Sequence, residues 1–408
     1  MKKKKLAKTL HMKKPKREKR GRENYKNEPQ PAVKKTIRKR RPFSVKHFSR
    51  RQITAYTVLM VIIIGVLLLN LAAPTGIIEW VKVGMASGGK GGDFPTLYSG
   101  GGTVKDMSVS ANEILILDEI MLTSYNKKGD KIYSRLHGFF NPQITVSSIR
   151  SMVFDRAGTN FRIENASRTV FASKLDNTII DADICDNGTY AFITDSKKYA
   201  AEVHVYSPKN RQIFKWNSSE IITAVSLSAN GKKVVFAAAE IKNGNIMSTI
   251  YAFDTGKEKP EYTKRLEDQT VLRLEHDKNK NILCLTDKNV LIMQSDMKKK
   301  TEYEYSRTER KTFDTNPTNG AVFVFGNTVV SFGTDGKKDA EFIVEKPIIG
   351  VSREKNKIFI LSDKLYSYDL KGKLTKTTDA GENPLFVKGI GKDAVILTRE
   401  KLILIKSQ

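Results

Sequence analysis

The sequence predicts an all-β fold, a β-propeller of about eight four-stranded blades, with seven blades as the alternative. One transmembrane helix and a disordered basic tail precede it. Three observations predict this arrangement: a unit of about 40 residues that recurs along residues 94–408, short strands separated by polar turns, and one uncharged apolar run near the N-terminus. A propeller consists of such four-stranded units arranged in a ring.

The recurring unit is an apolar strand, a short polar turn and a second strand. Its turns lie 36 to 47 residues apart, which is the spacing of propeller blades and too long for a stacked β-solenoid. An α-solenoid of this period would need a 3.6-residue apolar pattern, which is missing. The aligned turn positions are Asn126, Asn165, Ser207, Asp254, Ser295, Gly333, Asp369 and Lys406.

Most units contain an earlier strand in which a polar turn precedes three to five apolar residues, as in Asn187–Thr194 and Asn230–Ala237. Val, Ile, Phe and Tyr between Asn, Gly, Asp and Lys are typical of β-hairpins. The last unit stops where its outermost strand should begin. Residues Phe94–Gly100 precede the first unit, so we expect them to supply that strand and close the ring.

A transmembrane helix is predicted over residues 52–74, because residues 53–73 carry no charge and about 20 apolar residues cross a bilayer. A cleaved signal peptide is the alternative, but the run is too long and begins too late. Seven Lys and Arg between positions 38 and 51 precede it, whereas Glu79 and Lys82 follow it. This asymmetry places the N-terminus in the cytoplasm and residues 75–408 outside the cell.

Residues 1–51 form a basic tail with 22 Lys or Arg and three Glu, out of a chain net charge of +27. With few large apolar side chains, this cytoplasmic segment is predicted to be disordered. Its simplest role is to set topology and attract anionic lipid head groups. Docking of a cytoplasmic partner or of nucleic acid is the alternative. No base-reading motif is present, so we expect no nucleic acid as partner.

Residues 75–93 are predicted to be an interfacial segment around Trp80, followed by a flexible Gly-rich linker from Ser87 to Gly92. Gly84–Lys90 matches the G-x-x-x-x-G-K pattern of a P-loop. A P-loop also needs a preceding strand and a Ser or Thr after the Lys, but position 91 is Gly. We therefore predict no nucleotide site here.

The sequence offers no catalytic, cofactor-binding or metal-binding motif, so none of these sites is predicted. His137, His204 and His276 are scattered without metal-ligand spacing, and no G-x-S-x-G occurs. The best carboxylate cluster is Asp181, Asp183 and Asp186. Its simplest interpretation is turn and surface chemistry, with a calcium site as the alternative. Cys185 and Cys284 lie in apolar strands and are predicted to be buried free thiols, with a disulfide between them as the alternative.

Five short segments of the chain carry a resemblance to known proteins: Met85–Gly89, Thr103–Met107, Val153–Arg156, Phe161–Asn165 and Phe214–Trp216. Through them the chain resembles a family of uncharacterised envelope proteins of Clostridia-type Gram-positive bacteria, a domain of unknown function. The likeness covers the anchor and nearly all of the outer domain. More loosely, the chain looks like WD40 and YVTN-type propellers, although it lacks the regular Gly-His and Trp-Asp pairs of WD40 proper. The resemblance implies the fold and topology but no catalytic residues.

Three functions remain open at this point. The first is a non-enzymatic scaffold of the cell envelope, with an unknown envelope protein or polymer bound to a propeller face and the bilayer bound by residues 53–73. The second is an extracytoplasmic propeller hydrolase or oxidoreductase with residues from several blades around the channel. The third is a ligand sensor that signals through its single helix to the basic tail. The first is our prediction, because a propeller offers two broad loop-lined faces and no enzyme motif is present.

Overall fold

The computed structural model describes residues 49–72, 75–89, 91–306 and 310–406; the side chains of 69–72, 310 and 311 are not described. The disorder predicted for the basic tail therefore concerns residues that lie almost entirely outside the described ones. Helix α1 (Arg50–Ala72) contains residues 52–72 of the predicted membrane segment, and residues 73 and 74 lie outside the described ones. Within the described residues it is the one helix long and apolar enough to cross a membrane.

Within the described residues, thirty-two strands form eight antiparallel sheets of four strands each, which confirms the prediction of eight blades rather than seven. Blades 1 to 7 each use four consecutive strands, numbered from the channel outward. The strands of blades 1 to 4 are β2 (Val104–Val109), β3 (Glu113–Asp118), β4 (Met121–Asn126), β5 (Lys131–Leu136), β6 (Pro142–Val146), β7 (Ser151–Asp155), β8 (Asn160–Glu164), β9 (Thr169–Lys174), β10 (Ile179–Ile184), β11 (Tyr190–Thr194), β12 (Ala201–Tyr206), β13 (Gln212–Ser218), β14 (Ile221–Leu227), β15 (Lys233–Lys242), β16 (Asn245–Asp254) and β17 (Tyr262–Glu267).

Blades 5 to 7 continue the same pattern, and blade 8 combines the end of the chain with the strand that precedes blade 1. Their strands are β18 (Val271–His276), β19 (Ile282–Thr286), β20 (Asn289–Met293), β21 (Lys299–Glu304), β22 (Arg310–Asn316), β23 (Gly320–Phe325), β24 (Thr328–Phe332), β25 (Lys338–Ile343), β26 (Gly350–Glu354), β27 (Lys357–Leu361), β28 (Lys364–Asp369), β29 (Leu374–Asp379), β30 (Pro384–Ile390), β31 (Asp393–Thr398), β32 (Lys401–Ile405) and β1 (Thr96–Leu97).

The ring closes where the sequence predicts. Strand β1 pairs with β32 in antiparallel register, with Thr96 opposite Leu402, so the segment before blade 1 supplies the fourth strand of blade 8. Asp118 at the end of β3 holds the connection to blade 1. Its carboxylate accepts hydrogen bonds from Tyr98 Oη at 2.8 Å and from the backbone N–H of Gly101 at 2.9 Å.

The apolar core lies between neighbouring blades. The second strand of a blade is buried on both faces, as in β11, whereas the fourth strand alternates between exposed and half-buried residues, as in β21. Between blades 3 and 4, Phe236 packs parallel to Phe253, and Trp216 lies 4.9 Å from Phe253. Such aromatic packing between sheets fixes their separation.

The eight blades give the propeller two different faces. Because the strands of each blade are antiparallel, the turns after the first and third strands lie on one face, and the turns after the second and fourth lie on the other. We call the first the helix face, because helix α2 packs on it, and the second the open face. All eight turn positions aligned in the sequence lie on the helix face, at the end of the third strand of a blade.

Helix α2 (Ile77–Gly88) packs against blades 1 and 2 on the helix face. Val83 is 1% exposed against Ile149 and Ala166. Glu79 receives a bidentate ion pair from Arg150, at 2.8 Å from Nε and 2.6 Å from Nη2. The sequence predicts a flexible linker from Ser87 onward. The structure differs, because Ser87 and Gly88 complete the helix and Gly91 N–H donates to Asp130 at 3.0 Å.

Glu79→Ala is expected to release α2 from the propeller. The Arg150 side chain is 4% exposed and would keep only the carbonyl oxygen of Pro208 at 3.3 Å as acceptor, and leaving a buried cation unpaired is costly. We expect docking to weaken by about 2 kcal/mol, which is a roughly 30-fold rise in the undocked population. The undocked population is measured by limited proteolysis, as the rate of cleavage between residues 84 and 92. Exposed Lys82→Ala is the control, and equal cleavage of the two variants would contradict this role of Glu79.

Candidate functional site

The axial channel is lined by the first strand of every blade, and charged side chains from several blades converge there. Asp181 on β10 interacts electrostatically with Arg273 on β18, two blades away. Lys388 on β30 interacts with Asp314 on β22 and with Asp106 on β2. The Arg273 side chain is 50% exposed although it belongs to an innermost strand, so the channel admits water.

Two aspartates of the innermost strands bridge neighbouring blades. Asp183 of blade 3 accepts a hydrogen bond from Thr145 Oγ1 of blade 2 at 3.1 Å and from Leu227 N–H of blade 4 at 2.8 Å. Asp314 of blade 6 accepts from Ser352 Oγ at 2.7 Å in blade 7 and pairs with Lys388 of blade 8. These carboxylates therefore connect three successive blades each.

The predicted carboxylate cluster is divided between two locations. Asp181 and Asp183 lie on the channel strand β10, whereas Asp186 lies in the turn after it and accepts from Ser148 N–H at 2.9 Å. Among the described residues, no group of three or more His, Cys, Asp or Glu is placed to hold a metal ion. The arrangement thus assigns these carboxylates to contacts within and between blades.

Burial, together with the smaller effect of the nearby Asp183 carboxylate, raises the pKa of Asp181 to about 6, although the Ala182 N–H and the positive charges of Arg273 and Arg156 lower it. Burial also raises the pKa of Asp183. A carboxyl group that titrates near neutral pH inside a water-accessible channel is typical of ligand-binding and catalytic sites, although structural networks produce it as well.

Asp181→Asn is expected to stabilise the propeller at pH 7.5 by about 1–2 kcal/mol, allowing for partial exposure to solvent. The pKa of Asp181 is higher in the folded protein than in the unfolded chain. Its contribution to the free energy of unfolding is therefore fully present near pH 4 and is lost as the pH rises through about 6. Urea unfolding at pH 4.5 and 7.5 measures this, with the exposed Asp176→Asn as control. An equal effect of Asp181→Asn at both pH values would contradict the assignment.

The three histidines of the propeller lie on different blades and are not brought together. His276 is buried, its Nδ1 lies 3.1 Å from Ser226 Oγ, and burial lowers its pKa to about 4, so it is neutral at physiological pH. His137 accepts from Phe139 N–H at Nδ1 and bonds the Asp118 carbonyl through Nε2 at 3.0 Å. His204 lies 3.1 Å from Glu202. Each has a local partner within or beside its own blade.

Two other predictions concern single segments. Cys185 and Cys284 are buried free thiols, which confirms that interpretation over a disulfide.

Gly84–Gly88 lies in the last turns of α2 and not between a strand and a helix, so the P-loop context is missing from this segment.

A cleft of about 350 Å³, part of it open to solvent, lies between blades 5 and 6 on the helix face. Leu283, Ile292 and Phe332 form its apolar wall. Asn281 Nδ2 donates across it to the Thr334 carbonyl at 2.9 Å. The cleft therefore separates two blades that remain connected by hydrogen bonds at its mouth.

Exposed apolar side chains are concentrated on the open face. Of the thirteen large exposed apolar residues in the described part of the propeller, eleven lie in or beside turns of this face, and two, Tyr262 and Leu374, lie at the helix face. The eleven are Leu97, Ile120, Leu136, Phe140, Tyr199, Ile221, Ile241, Leu272, Ile343, Ile349 and Leu385.

Charge is distributed in the opposite way. The turns that connect strands on the helix face contain seventeen Lys and Arg against seven Asp and Glu. The described turns of the open face contain six Lys and Arg against ten Asp and Glu. The propeller therefore has one basic face and one weakly acidic, apolar face.

Eight four-stranded sheets around a channel define the class of this protein: an eight-bladed β-propeller whose ring is closed by an N-terminal strand. The chain belongs to the family of unknown function DUF5711, whose model matches residues 99–406. The predicted resemblance to a domain of unknown function is thereby confirmed. No curated protein matches the sequence.

Solved structures are similar in fold. BamB from Moraxella catarrhalis is 12% identical with a TM-score of 0.50, covering 76% of this chain and 100% of that one. AztD from Citrobacter koseri is 10% identical, with a TM-score of 0.48, covering 70% of this chain and 90% of that one. Hsv2 from Kluyveromyces lactis is also 10% identical with a TM-score of 0.48, covering 68% and 99%. At 12% identity the likeness to BamB shows the fold alone.

Sequence reasoning missed the contrast between the faces and the convergence of charges in the channel. The sequence contains a signal for each feature. Phe139-Phe140 in a loop indicates an exposed apolar face, and single Asp, Arg and Lys residues in the first strands indicate charges in the channel. Only the order of strands within each blade shows which turns share a face.

Proposed function

We propose that the chain is a membrane-anchored interaction module of the cell envelope, which binds a protein or polymer partner through the open face of an extracytoplasmic propeller. The observation that carries the proposal is the placement of eleven exposed apolar side chains on that face. Apolar patches of this kind, surrounded by polar residues, mark interaction sites.

The strongest part of this surface lies at blades 1 and 2. Phe140 is 98% exposed and Leu136 is 66% exposed. His137 N–H donates to the Ile120 carbonyl at 3.1 Å, which brings the turn of Ile120 beside the loop of Leu136 and Phe140. An exposed aromatic residue among aliphatic ones is the composition expected of an energetic anchor at an interface. We call Ile120, Leu136 and Phe140 the Phe140 patch.

The proposed topology supports the same function. The basic residues before α1 keep the N-terminus in the cytoplasm, and the propeller is then exported. An anchored disc with a broad apolar face is suited to hold an envelope partner near the membrane.

Purification of tagged full-length chain from detergent-solubilised membranes tests the proposal. A Leu136→Ser/Phe140→Ser variant is expected to lose a co-purifying partner, because the exposed anchors of the interface are removed. The control is Tyr262→Ser/Leu374→Ser, which changes the two exposed apolar residues of the helix face. Retention of the same partners by both double variants would overturn the open-face assignment.

The axial channel supports a second candidate function, the binding or conversion of a small ligand. It is favoured by the convergence of Asp181, Arg273 and Lys388, which come from three different blades. Thermal shifts of the full chain with a panel of charged metabolites test it. A shift that Arg273→Gln abolishes would favour this candidate, and the absence of any shift would count against it.

A further inference from the structure

We infer that the helix face of the propeller lies flat on the anionic lipid surface of the outer leaflet, with α2 inserted between the disc and the bilayer. The inference rests on the proposed membrane anchoring and goes beyond it by fixing which face is turned toward the lipid. The open face then points away from the membrane.

Helix α2 has two different sides. Glu79 and Val83 attach one side to blade 2 through the ion pair with Arg150 and the contact with Ile149. The opposite side carries Ile78, Val81 and Met85, which are 49%, 53% and 70% exposed. These positions are three and four residues apart, so they form one continuous apolar stripe.

The chain itself restricts where this stripe can lie. Only four residues separate Ala72, the last residue of α1, from Ile77, the first residue of α2. An extended chain spans at most about 3.6 Å per residue, so α2 begins within roughly 18 Å of the end of the membrane-crossing helix. That distance keeps α2 in the head-group region, where an apolar stripe next to a Trp is favourable.

Charge extends the contact from α2 to the whole disc. Every blade contributes at least one Lys or Arg to the turns of the helix face, including Lys371 and Lys373 of blade 7 and Lys392 of blade 8. Basic residues near an anionic membrane are attracted to its surface. Because these basic residues are distributed around the whole ring, the attraction favours a propeller that lies flat on the membrane over one that touches it at a single edge.

The lipid contact of α2 can be measured with the two tryptophans of the chain, Trp80 and Trp216. Full-length protein is reconstituted into phosphatidylglycerol vesicles with and without brominated acyl chains, which quench nearby indoles. Strong quenching is expected in Trp216→Phe, which retains Trp80, and little in Trp80→Phe. Equal quenching in the two variants would overturn the placement of α2.

The orientation of the disc is tested at blade 7. Lys364 and Lys371 flank strand β28 on the open and helix faces, roughly 20 Å apart by strand length. Lys364→Trp and Lys371→Trp are made separately in the Trp80→Phe/Trp216→Phe background. Energy transfer to vesicles with dansyl-labelled head groups is expected to be several-fold stronger from position 371. Equal transfer, or stronger transfer from position 364, would overturn the flat orientation.

Vesicle flotation distinguishes a failure of the proposed membrane anchoring from a failure of the inferred orientation. If the chain does not float with the vesicles, the proposed anchoring itself fails. If it floats and the two positions of blade 7 transfer equally, the anchoring stands and the orientation is wrong. Added salt is expected to weaken transfer from position 371, because the attraction to the lipid is electrostatic.

Discussion

Asp118→Ala is expected to lower the free energy of unfolding by about 4 kcal/mol and the melting temperature by roughly 10 °C. Asp118 is fully buried, and its carboxylate accepts four hydrogen bonds. The donors are Tyr98 Oη and the backbone N–H groups of Gly101, Ile120 and Met121. Removing the acceptor leaves buried donors unpaired at the point where β1 connects to blade 1, so ring closure weakens.

Calorimetry of the full chain measures this loss, with Asp363→Ala as the matched control. Asp363 lies at the corresponding turn between the second and third strands of its blade, but it is exposed, and we expect Asp363→Ala to leave the melting temperature nearly unchanged. Similar melting temperatures for the two variants would show that Asp118 does not maintain closure. Removal of residues 94–100 should lower the melting temperature at least as much as Asp118→Ala.

Asp314→Ala is expected to lower the free energy of unfolding by about 3 kcal/mol. The Asp314 side chain is 6% exposed and connects blades 6, 7 and 8 through Ser352, the Arg353 N–H at 3.1 Å and Lys388. Its loss leaves Lys388 without its ion-pair partner, and breaking one side of a buried pair is strongly destabilising. The pKa of Lys388 is raised by Asp314 and Asp106 despite the opposing effect of burial.

A double-mutant cycle with Lys388→Met isolates the pair. Because the two side chains interact directly, Asp314→Ala/Lys388→Met should cost less than the sum of the single variants, by at least about 1 kcal/mol. Strictly additive losses in urea unfolding would contradict an energetic coupling between blades 6 and 8 through this contact.

The fold could be predicted because hairpins and their turns are local. Each polar turn from Asn126 to Lys406 lies at the end of a third strand, and the spacing of these turns indicates the number of blades. The closing strand was also predictable, since the last unit lacks a partner for β32. Buried thiols followed from the apolar residues that surround Cys185 and Cys284.

The docking of α2 and the channel network could not be predicted in the same way. Glu79 and Arg150 are 71 residues apart, and Asp314 and Lys388 are 74 apart, so nothing in either local pattern identifies the partner. The Gly-rich composition after Met85 favours a linker, but burial of Val83 and the ion pair of Glu79 override it. Likewise, the exposure of Phe140 depends on which turns share a face, a property of the assembled ring.

Site-specific photocrosslinking in intact cells tests the central claim most directly. Benzoylphenylalanine replaces Phe140 on the open face or Leu374 on the helix face of the full-length chain. We expect discrete protein or polymer adducts from position 140 and none of these from position 374, which lies on the face that we place against lipid. The same adducts from both positions, or adducts from position 374 alone, would contradict the assignment of the open face as the interaction surface.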